Sequence, residues 1–226
     1  MFWSFIGALI AIALAARLVA VFNRKRQARA RHLRQVFNAV QHLIENPVFE
    51  PQGPNQYPKL KGVYKTLPIQ ILPLVDTLAT RRLPALWLLV TVQDNLPVTA
   101  KFDLMMRPAG PTTFSNFDLL GHTLENLPGF PEEGVVRTDD PASVLPAELV
   151  RPHLALFSGA RAKELLIAPT GLRMVWLLSE ADRARYGVLR EADFGDVEID
   201  ASTLTGILDG LLALRLDILK WSKRKT

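Results

Sequence analysis

The sequence contains no cysteine and only four histidines. Without cysteine the chain cannot form disulfides, use a thiolate nucleophile or hold a cysteine-ligated metal cluster. The histidines include no pair at the spacing that places two metal ligands on one helical face; they are His32, His42, His122 and His153. We therefore predict no metal site and no cofactor.

Recognisable catalytic motifs are also missing. There is no Gly-x-Gly-x-x-Gly, no Gly-x-x-x-x-Gly-Lys-Ser/Thr phosphate loop and no Gly-x-Ser-x-Gly nucleophile turn. The acidic residues between Asp193 and Asp200 do not follow the pattern of a calcium-binding loop. We predict that the chain is not an enzyme. The alternative, an enzyme, would require catalytic residues that are distant in sequence to converge in the fold.

Charge is distributed unevenly along the chain. Residues 1–60 carry eight Lys/Arg and two Asp/Glu, residues 61–219 carry fifteen and twenty, and residues 220–226 carry four and none. The positive excess therefore belongs to the two ends, whereas the middle is acidic. A domain that binds nucleic acid concentrates positive charge on its folded surface. The charge distribution thus predicts no nucleic-acid partner.

The N-terminal region combines a long apolar run with a basic segment. Residues 2–22 are apolar except for Ser4 and Arg17, and as a helix they would be about 31 Å long, which matches the hydrocarbon thickness of a bilayer. Basic residues follow this run and none precedes it. This predicts a single transmembrane helix with its N-terminus outside and the domain on the cytoplasmic face of a bacterial-type membrane. The residues predicted to contact the membrane surface and its anionic lipids are Arg17, Arg24, Lys25, Arg26, Arg29, Arg31, Arg34 and Trp221.

Residue spacing near the N-terminus predicts two packing surfaces, and composition divides the chain into four segments. Gly7, Ala11 and Ala15 recur every four positions, which would let another transmembrane helix approach closely. Apolar residues between Leu33 and Ile44 recur on one helical face and are expected to pack on the protein's own domain. We assign residues 1–46 to the anchor and its basic amphipathic continuation, 47–60 to a proline-rich linker, 61–221 to the folded domain and 222–226 to a basic tail.

Alternating apolar residues predict strands and two hairpins in this domain. Residues 86–92 and 98–107 alternate around a turn at 94–97, and residues 164–168 and 172–178 alternate around a turn that ends at Gly171. In the first hairpin, Lys101 and Asp103 are expected on a solvent-facing side. A further strand is predicted over residues 62–72.

Two helices are predicted after these strands. One opens at Asp140-Pro141 or at Leu145-Pro146 and continues to Ser158-Gly159, with a break or kink at Pro152. A longer one runs from about Thr203 to Trp221 after a cap at Asp200 and Ser202. Its apolar face comprises Leu204, Ile207, Leu208, Leu211, Leu214 and Ile218, and we expect close packing on the sheet at Gly206 and Gly210. The order of elements predicts an α+β fold with helices packed on one face of an antiparallel sheet, preceded by the transmembrane helix.

Two loops carry large apolar side chains that could contact a partner. The candidates are Met105, Met106, Phe114 and Phe117 in residues 105–117, and Phe130 in residues 127–131. Apolar side chains on loops often mark contact surfaces. The alternative is that these side chains cover the domain's own core.

These features together predict a non-catalytic accessory or scaffolding subunit of a larger membrane protein complex, with other membrane subunits as partners. The layout resembles that of the H subunits of purple-bacterial photosynthetic reaction centres, which have a short outer N-terminus, one span and a cytoplasmic domain. This resemblance covers no specific residues, and it implies a photosynthetic or electron-transfer complex as one host. The alternative function is a membrane-tethered enzyme or lipid-handling domain with a pocket between the sheet and the helices.

Overall fold

The structure is a computed structural model. It describes the backbone of residues 2–53, 55–76, 83–125, 127–183, 186, 192 and 194–225, and the side chains of these residues apart from 2–16, 25 and 225. The helices whose bounds lie within the described residues are α1 (Phe2–Arg34), α2 (Ala147–Val150) and α3 (Ala201–Lys225), and 3-10 turns lie at Gln35–Phe37, Gln41–Leu43, Phe117–Leu119 and Arg151–Phe157. The strands are β1 (Glu45–Glu50), β2 (Lys59–Tyr64), β3 (Leu67–Asp76), β4 (Ala85–Gln93), β5 (Phe102–Met106), β6 (His122–Leu124), β7 (Gly134–Thr138), β8 (Ala162–Ala168) and β9 (Gly171–Glu180).

One antiparallel sheet dominates the domain. Its strands lie in the order β1-β2-β3-β4-β9-β8-β5-β7-β6. The first four strands form a meander, and β9, the last strand in sequence, joins this meander to the remaining strands. The predicted α+β class is therefore wrong, because the domain is mostly sheet with few helices.

The main core lies on one face of the sheet, beneath α3. The predicted apolar face of this helix is confirmed, since all six of its residues are buried. Asp200 caps the helix, with its Oδ2 accepting a hydrogen bond from the Thr203 backbone N–H at 2.7 Å. Close packing occurs at Gly210, but on the 3-10 turn Arg151–Phe157 and not on the sheet as predicted, since an added Cβ would lie 2.8 Å from Leu156 Cδ1. The prediction is wrong at Gly206, where an added Cβ would meet no atom within 4 Å beyond the helix's own backbone.

The predicted transmembrane helix is wrong. No helix in the described part of the chain has a stretch that is both long and apolar enough to cross a bilayer. The part of α1 whose side chains are described, residues 17–34 apart from Lys25, belongs to a stretch with seven Lys/Arg, and this stretch is too densely charged for the hydrocarbon region. The small residues Gly7, Ala11 and Ala15 belong to the part of α1 whose side chains lie outside the described residues.

The amphipathic continuation of α1 does pack on the protein's own domain, as predicted. The helix ends at Arg34, earlier than expected, and two 3-10 turns follow it. Val36, Phe37, Val40 and Ile44 are buried in the main core. The Val36 carbonyl accepts a hydrogen bond of 2.9 Å from the Ile199 N–H, so this segment is tied to the chain just before α3.

Two local expectations differ from the structure. Residues 45–50, most of which were assigned to the proline-rich linker, form edge strand β1, where Pro47 lies beside an irregularity in the pairing with β2. The predicted hairpin of residues 86–107 does not form, because β4 pairs with β3 and β9, whereas β5 pairs with β7 and β8. After β4 the backbone N–H groups of Asp94 and Leu96 bond to Thr170 and Pro169. The chain therefore follows the β8–β9 turn and does not fold back on β4.

The second predicted hairpin is confirmed as β8 and β9. Gly171 has a φ of +138°, and a Cβ there would lie 2.1 Å from the Val92 carbonyl oxygen. Only glycine fits this close approach. The β8–β9 hairpin is thereby set directly against β4 at the centre of the sheet.

Candidate functional site

A connection between strands covers part of the second face of the sheet. This covering segment, residues 107–120, leaves β5 and carries buried Phe114 and Phe117 over Leu89, Met105 and Val175. The rings of Phe114 and Trp87 lie 5.4 Å apart, measured between centroids, in a tilted arrangement. The segment therefore closes a second, smaller apolar core opposite α3.

A buried ion pair lies beneath the covering segment. Glu164 is fully buried on β8, and its Oε2 accepts hydrogen bonds from Arg173 Nη2 at 2.8 Å and Nε at 3.2 Å. Its other carboxylate oxygen accepts a hydrogen bond from the Ser115 hydroxyl. Ser115 Oγ in turn accepts a hydrogen bond of 3.1 Å from the Phe117 N–H. The carboxylate thus connects the sheet to the covering segment.

A second buried carboxyl group lies diagonally across the strands from the first. Asp103 pairs with Leu166 in the β5–β8 register. This pair lies two residues along the strands from the Met105–Glu164 pair, and the two pairs are therefore on the same face of the sheet. Burial, and next the negative charge of Glu164, raise the pKa of Asp103 to about 8, although Arg173 and Lys101 oppose this shift. Burial also raises the pKa of Glu164, against the opposing charge of Arg173 and the hydrogen bond from Ser115. The two carboxyl groups share the positive charge of Arg173, and burial favours the protonated form of Asp103.

A lysine and an arginine fix the start of the covering segment. Lys163 is buried, and its ammonium donates hydrogen bonds to the carbonyls of Met106 at 2.5 Å and Arg107 at 2.8 Å. Arg107 has a φ of +45°, and its guanidinium bonds to Glu133 Oε2 at 2.7 Å and to the Ala160 carbonyl at 2.9 Å. The chain therefore turns sharply at Arg107 to cross the sheet.

The space beneath the covering segment is small. A cavity of about 10 Å³ is lined by Met105, Thr112, Ser115, Phe117 and Lys163, among others, which is room for about one water molecule. Thr112 Oγ1 and Asp103 Oδ1 are buried without a hydrogen-bond partner in the described part of the chain. Since orphaned buried oxygens are rare in folded proteins, one ordered water is the smallest group that would satisfy such an atom.

This arrangement is suited to holding the covering segment and taking up a proton. Ser115 donates to a carboxylate with no exposed surface, and the adjoining cavity has no room for a substrate. Within the described residues, no three His, Asp or Glu side chains are grouped so that they could hold a metal ion. The polar groups around Glu164 therefore converge on a closed space and not on an open cleft.

A larger cleft of about 320 Å³ lies at the base of α1. Its lining includes His32, Asn38, Tyr57, Asp196 and Glu198. His32 Nε2 lies 3.9 Å from Asp196 Oδ1, and both side chains are more than half exposed. The cleft is formed by the end of α1 and the segment before α3, and so it does not lie between the sheet and the helices.

The predicted partner-contact residues lie inside the domain. Met105, Phe114 and Phe117 belong to the second core, and Met106 belongs to the main core. Phe130 is half-buried, with its ring centroid 6.1 Å from that of Phe102. These positions match the alternative stated above, in which the loops cover the protein's own core.

The predicted basic residues of α1 have a different setting. Arg17, Arg24, Arg26, Arg29 and Arg31 are exposed, and the side chain of Lys25 lies outside the described residues. Arg34 is exposed too, but its guanidinium lies 3.8 Å from the ring centroid of Phe49 on β1. Trp221 is half-buried and packs against the main core, so part of its indole stabilises the fold and part remains exposed.

The buried charges were missed by sequence reasoning. Asp103 was expected to face solvent, yet it is buried. Glu164 and Arg173 are charged residues on the two strands of an apolar hairpin, diagonally across from each other, and this pair of opposite charges was the available signal. It could not identify the site, because the covering segment that buries the pair comes from residues about 50 positions earlier in the chain.

Comparisons with known proteins establish no family. The sequence matches no protein-family model and no curated protein. The crystal structure of the mycobacterial trehalose monomycolate transport factor A, TtfA, is similar over 80% of this chain and 77% of that chain, with 8% sequence identity and a TM-score of 0.38. No conclusion about fold or function rests on a similarity of this size.

Proposed function

We propose that this chain is a non-catalytic accessory or scaffolding subunit of a larger protein complex, and that α1 tethers it to that complex. The domain supplies a stable body, and the exposed part of α1 supplies the contact. Other subunits of the complex are the expected partners of the whole chain.

The observation that carries this proposal is the exposure of apolar side chains on α1. Leu18, Val19, Val21 and Phe22 are 71%, 59%, 43% and 68% exposed. They are four of the seven exposed large apolar side chains in the described part of the chain, and they fall within five positions. Such a concentration on a monomer surface marks an interaction site.

The organisation of the domain also favours a non-catalytic role. Its buried charges are used to hold the covering segment, and the cavity beside them admits about one water molecule. A scaffold needs this rigidity, because a partner bound to a fixed surface loses less conformational entropy on binding.

The test is native electrophoresis of the full chain, extracted gently at its endogenous level. We expect a larger assembly of reproducible stoichiometry, which is lost when Leu18→Asp and Phe22→Asp are combined. The matched control is Leu119→Asp, which changes a side chain that is 80% exposed on the covering segment. A free wild-type monomer, or equal disruption by the control, would overturn the proposal.

A second candidate function is ligand handling at the cleft beside His32. The observation in its favour is a volume of about 320 Å³, which is within the range of ligand sites. It would be supported by a small molecule that raises the melting temperature of the wild-type chain but not of an Asn38→Trp variant, in which the cleft is filled. If small-molecule panels shift neither protein, this candidate is removed.

A further inference from the structure

We propose that residues 17–31 of α1 bind the surface of an anionic lipid bilayer, lying in its interface without crossing it. This inference goes beyond the proposed function, because it assigns a lipid surface to the exposed part of α1, whether or not the complex forms. It concerns the side chains from Arg17 to Arg31, which the domain leaves exposed apart from Lys25, whose side chain lies outside the described residues.

The first step is charge. Residues 17–34 contain seven Lys/Arg and no Asp/Glu, whereas residues 61–219 contain fifteen Lys/Arg and twenty Asp/Glu. An anionic surface therefore attracts the helix and does not attract residues 61–219, which form most of the domain. Basic segments of this density bind the negative potential of anionic leaflets.

The second step is the position of the apolar side chains among these charges. Leu18 and Phe22 are four residues apart and share one side of α1, and Val21 and Val19 flank this pair on its two edges. A lipid interface accepts apolar side chains below the headgroups and guanidinium groups beside the phosphates. A nucleic acid offers the phosphates without an apolar layer, and so lipid fits both features.

The third step sets the boundary of the lipid-binding part. His32 and Arg34 are already engaged by the domain, through Asp196 at 3.9 Å and the Phe49 ring at 3.8 Å. Leu33 is half-buried, and Val36 is buried in the main core. The free surface of the helix therefore ends at Arg31, where the helix joins the domain.

The experiment is flotation of the purified full chain with vesicles. One set contains phosphatidylcholine alone, and the other contains equal parts of phosphatidylcholine and phosphatidylglycerol. We expect binding to the anionic vesicles, weakened by salt, and little binding to the neutral ones. Combining Arg24→Gln, Arg26→Gln and Arg29→Gln should weaken binding at least about tenfold, and combining Leu18→Ser with Phe22→Ser should also weaken it.

The matched control removes three exposed positive charges from the domain, by Lys101→Gln, Arg151→Gln and Arg161→Gln. It should bind vesicles as the wild type does. Thermal unfolding of every variant checks that the domain is intact, which we expect because all substituted side chains are exposed.

Several outcomes would overturn the inference. These are equal binding to neutral vesicles, equal loss in the control, tighter binding to duplex DNA than to anionic vesicles, or self-association through α1 that prevents flotation. If vesicles do not bind but Leu18→Asp with Phe22→Asp still disrupts the native assembly, the lipid inference fails and the accessory function stands. If vesicles bind but no assembly exists, the accessory function fails and the lipid inference stands.

Discussion

At the residue scale, the second face of the sheet contains two carboxyl groups in similar burial and with different partners. Glu164 has Arg173 and Ser115 within hydrogen-bond distance, whereas Asp103 Oδ1 has no partner in the described part of the chain. A buried carboxylate without a donor holds its proton to a higher pH. The two groups therefore differ in what their removal should do to the fold.

Replacement of Asp103 by Asn should change how stability depends on pH. The pKa of Asp103 is about 8 in the folded chain and 3.8 ordinarily, so between these values the folded state binds more protons than the unfolded state. The contribution of Asp103 to stability is thus fully present below about pH 4 and is lost as the pH rises through 8. Relative to Asp103→Asn, the wild type should lose on the order of 1 kcal/mol per pH unit between about pH 5 and 7. Urea unfolding at several pH values measures this, and a constant difference between the two proteins would contradict it.

Replacement of Glu164 by Gln should destabilise the fold strongly. It leaves the Arg173 guanidinium partly buried without its counter-charge, which costs about 3 kcal/mol in comparable pairs. The matched control is Glu133→Gln, which breaks the exposed pair with Arg107 and should cost less than about 1 kcal/mol. Urea unfolding at neutral pH compares the two. Equal, small losses would mean that Glu164 is protonated in the folded state.

At the element scale, α3 contains two glycines with opposite surroundings. An alanine Cβ at Gly206 would meet no atom within 4 Å, whereas one at Gly210 would lie 2.8 Å from Leu156 Cδ1. Both substitutions restrict the unfolded chain and favour the helix. Only the second forces a neighbouring side chain to move.

We therefore expect Gly206→Ala to raise the free energy of unfolding by about 0.5–1 kcal/mol. Gly210→Ala should gain less than this, or lose, because Leu156 must shift. Chemical denaturation of both variants gives the comparison. The expectation fails if the two variants are equally stabilised.

Elements whose contacts are local were predictable from the sequence. The β8–β9 hairpin and α3 were expected close to where they lie, because the turn at Gly171 and the apolar spacing from Leu204 to Ile218 are properties of short segments. The β2–β3 hairpin was read as one strand over residues 62–72. Its turn places Lys65 and Thr66 at φ values of 45° and 75°. Two-residue turns with positive φ usually contain Gly, Asn or Asp, so Lys and Thr do not predict one.

At the scale of the whole molecule, strand partners were not predictable. The patterns of β4 and β5 indicate strands but do not specify partners, and the segment between them follows Pro169 and Thr170 instead of turning back. The site was missed for the same reason. A charged residue in a strand reads as solvent-facing unless the segment that covers it is known, and Ser115 reaches Glu164 from a distant part of the chain.

The transmembrane expectation shows a related limit. Apolar composition and helical length in residues 2–22 favoured a span, but no helix among the described residues meets the requirement for crossing a membrane. The dense positive charge of residues 17–34 is a property of the sequence and does not depend on whether α1 crosses a membrane. It is the feature on which the interfacial proposal depends.

The central place of β9 has a consequence for biosynthesis. During translation, the meander β1 to β4 leaves the ribosome while one edge of β4 has no strand to pair with. One edge of β8 is also unpaired until residues 171–180 emerge and form β9, which pairs with both strands. Nascent chains released before that point would expose two apolar edges capable of pairing with other polypeptides. Ribosome stalling or a premature stop upstream of Gly171 should therefore produce insoluble fragments and no folded domain.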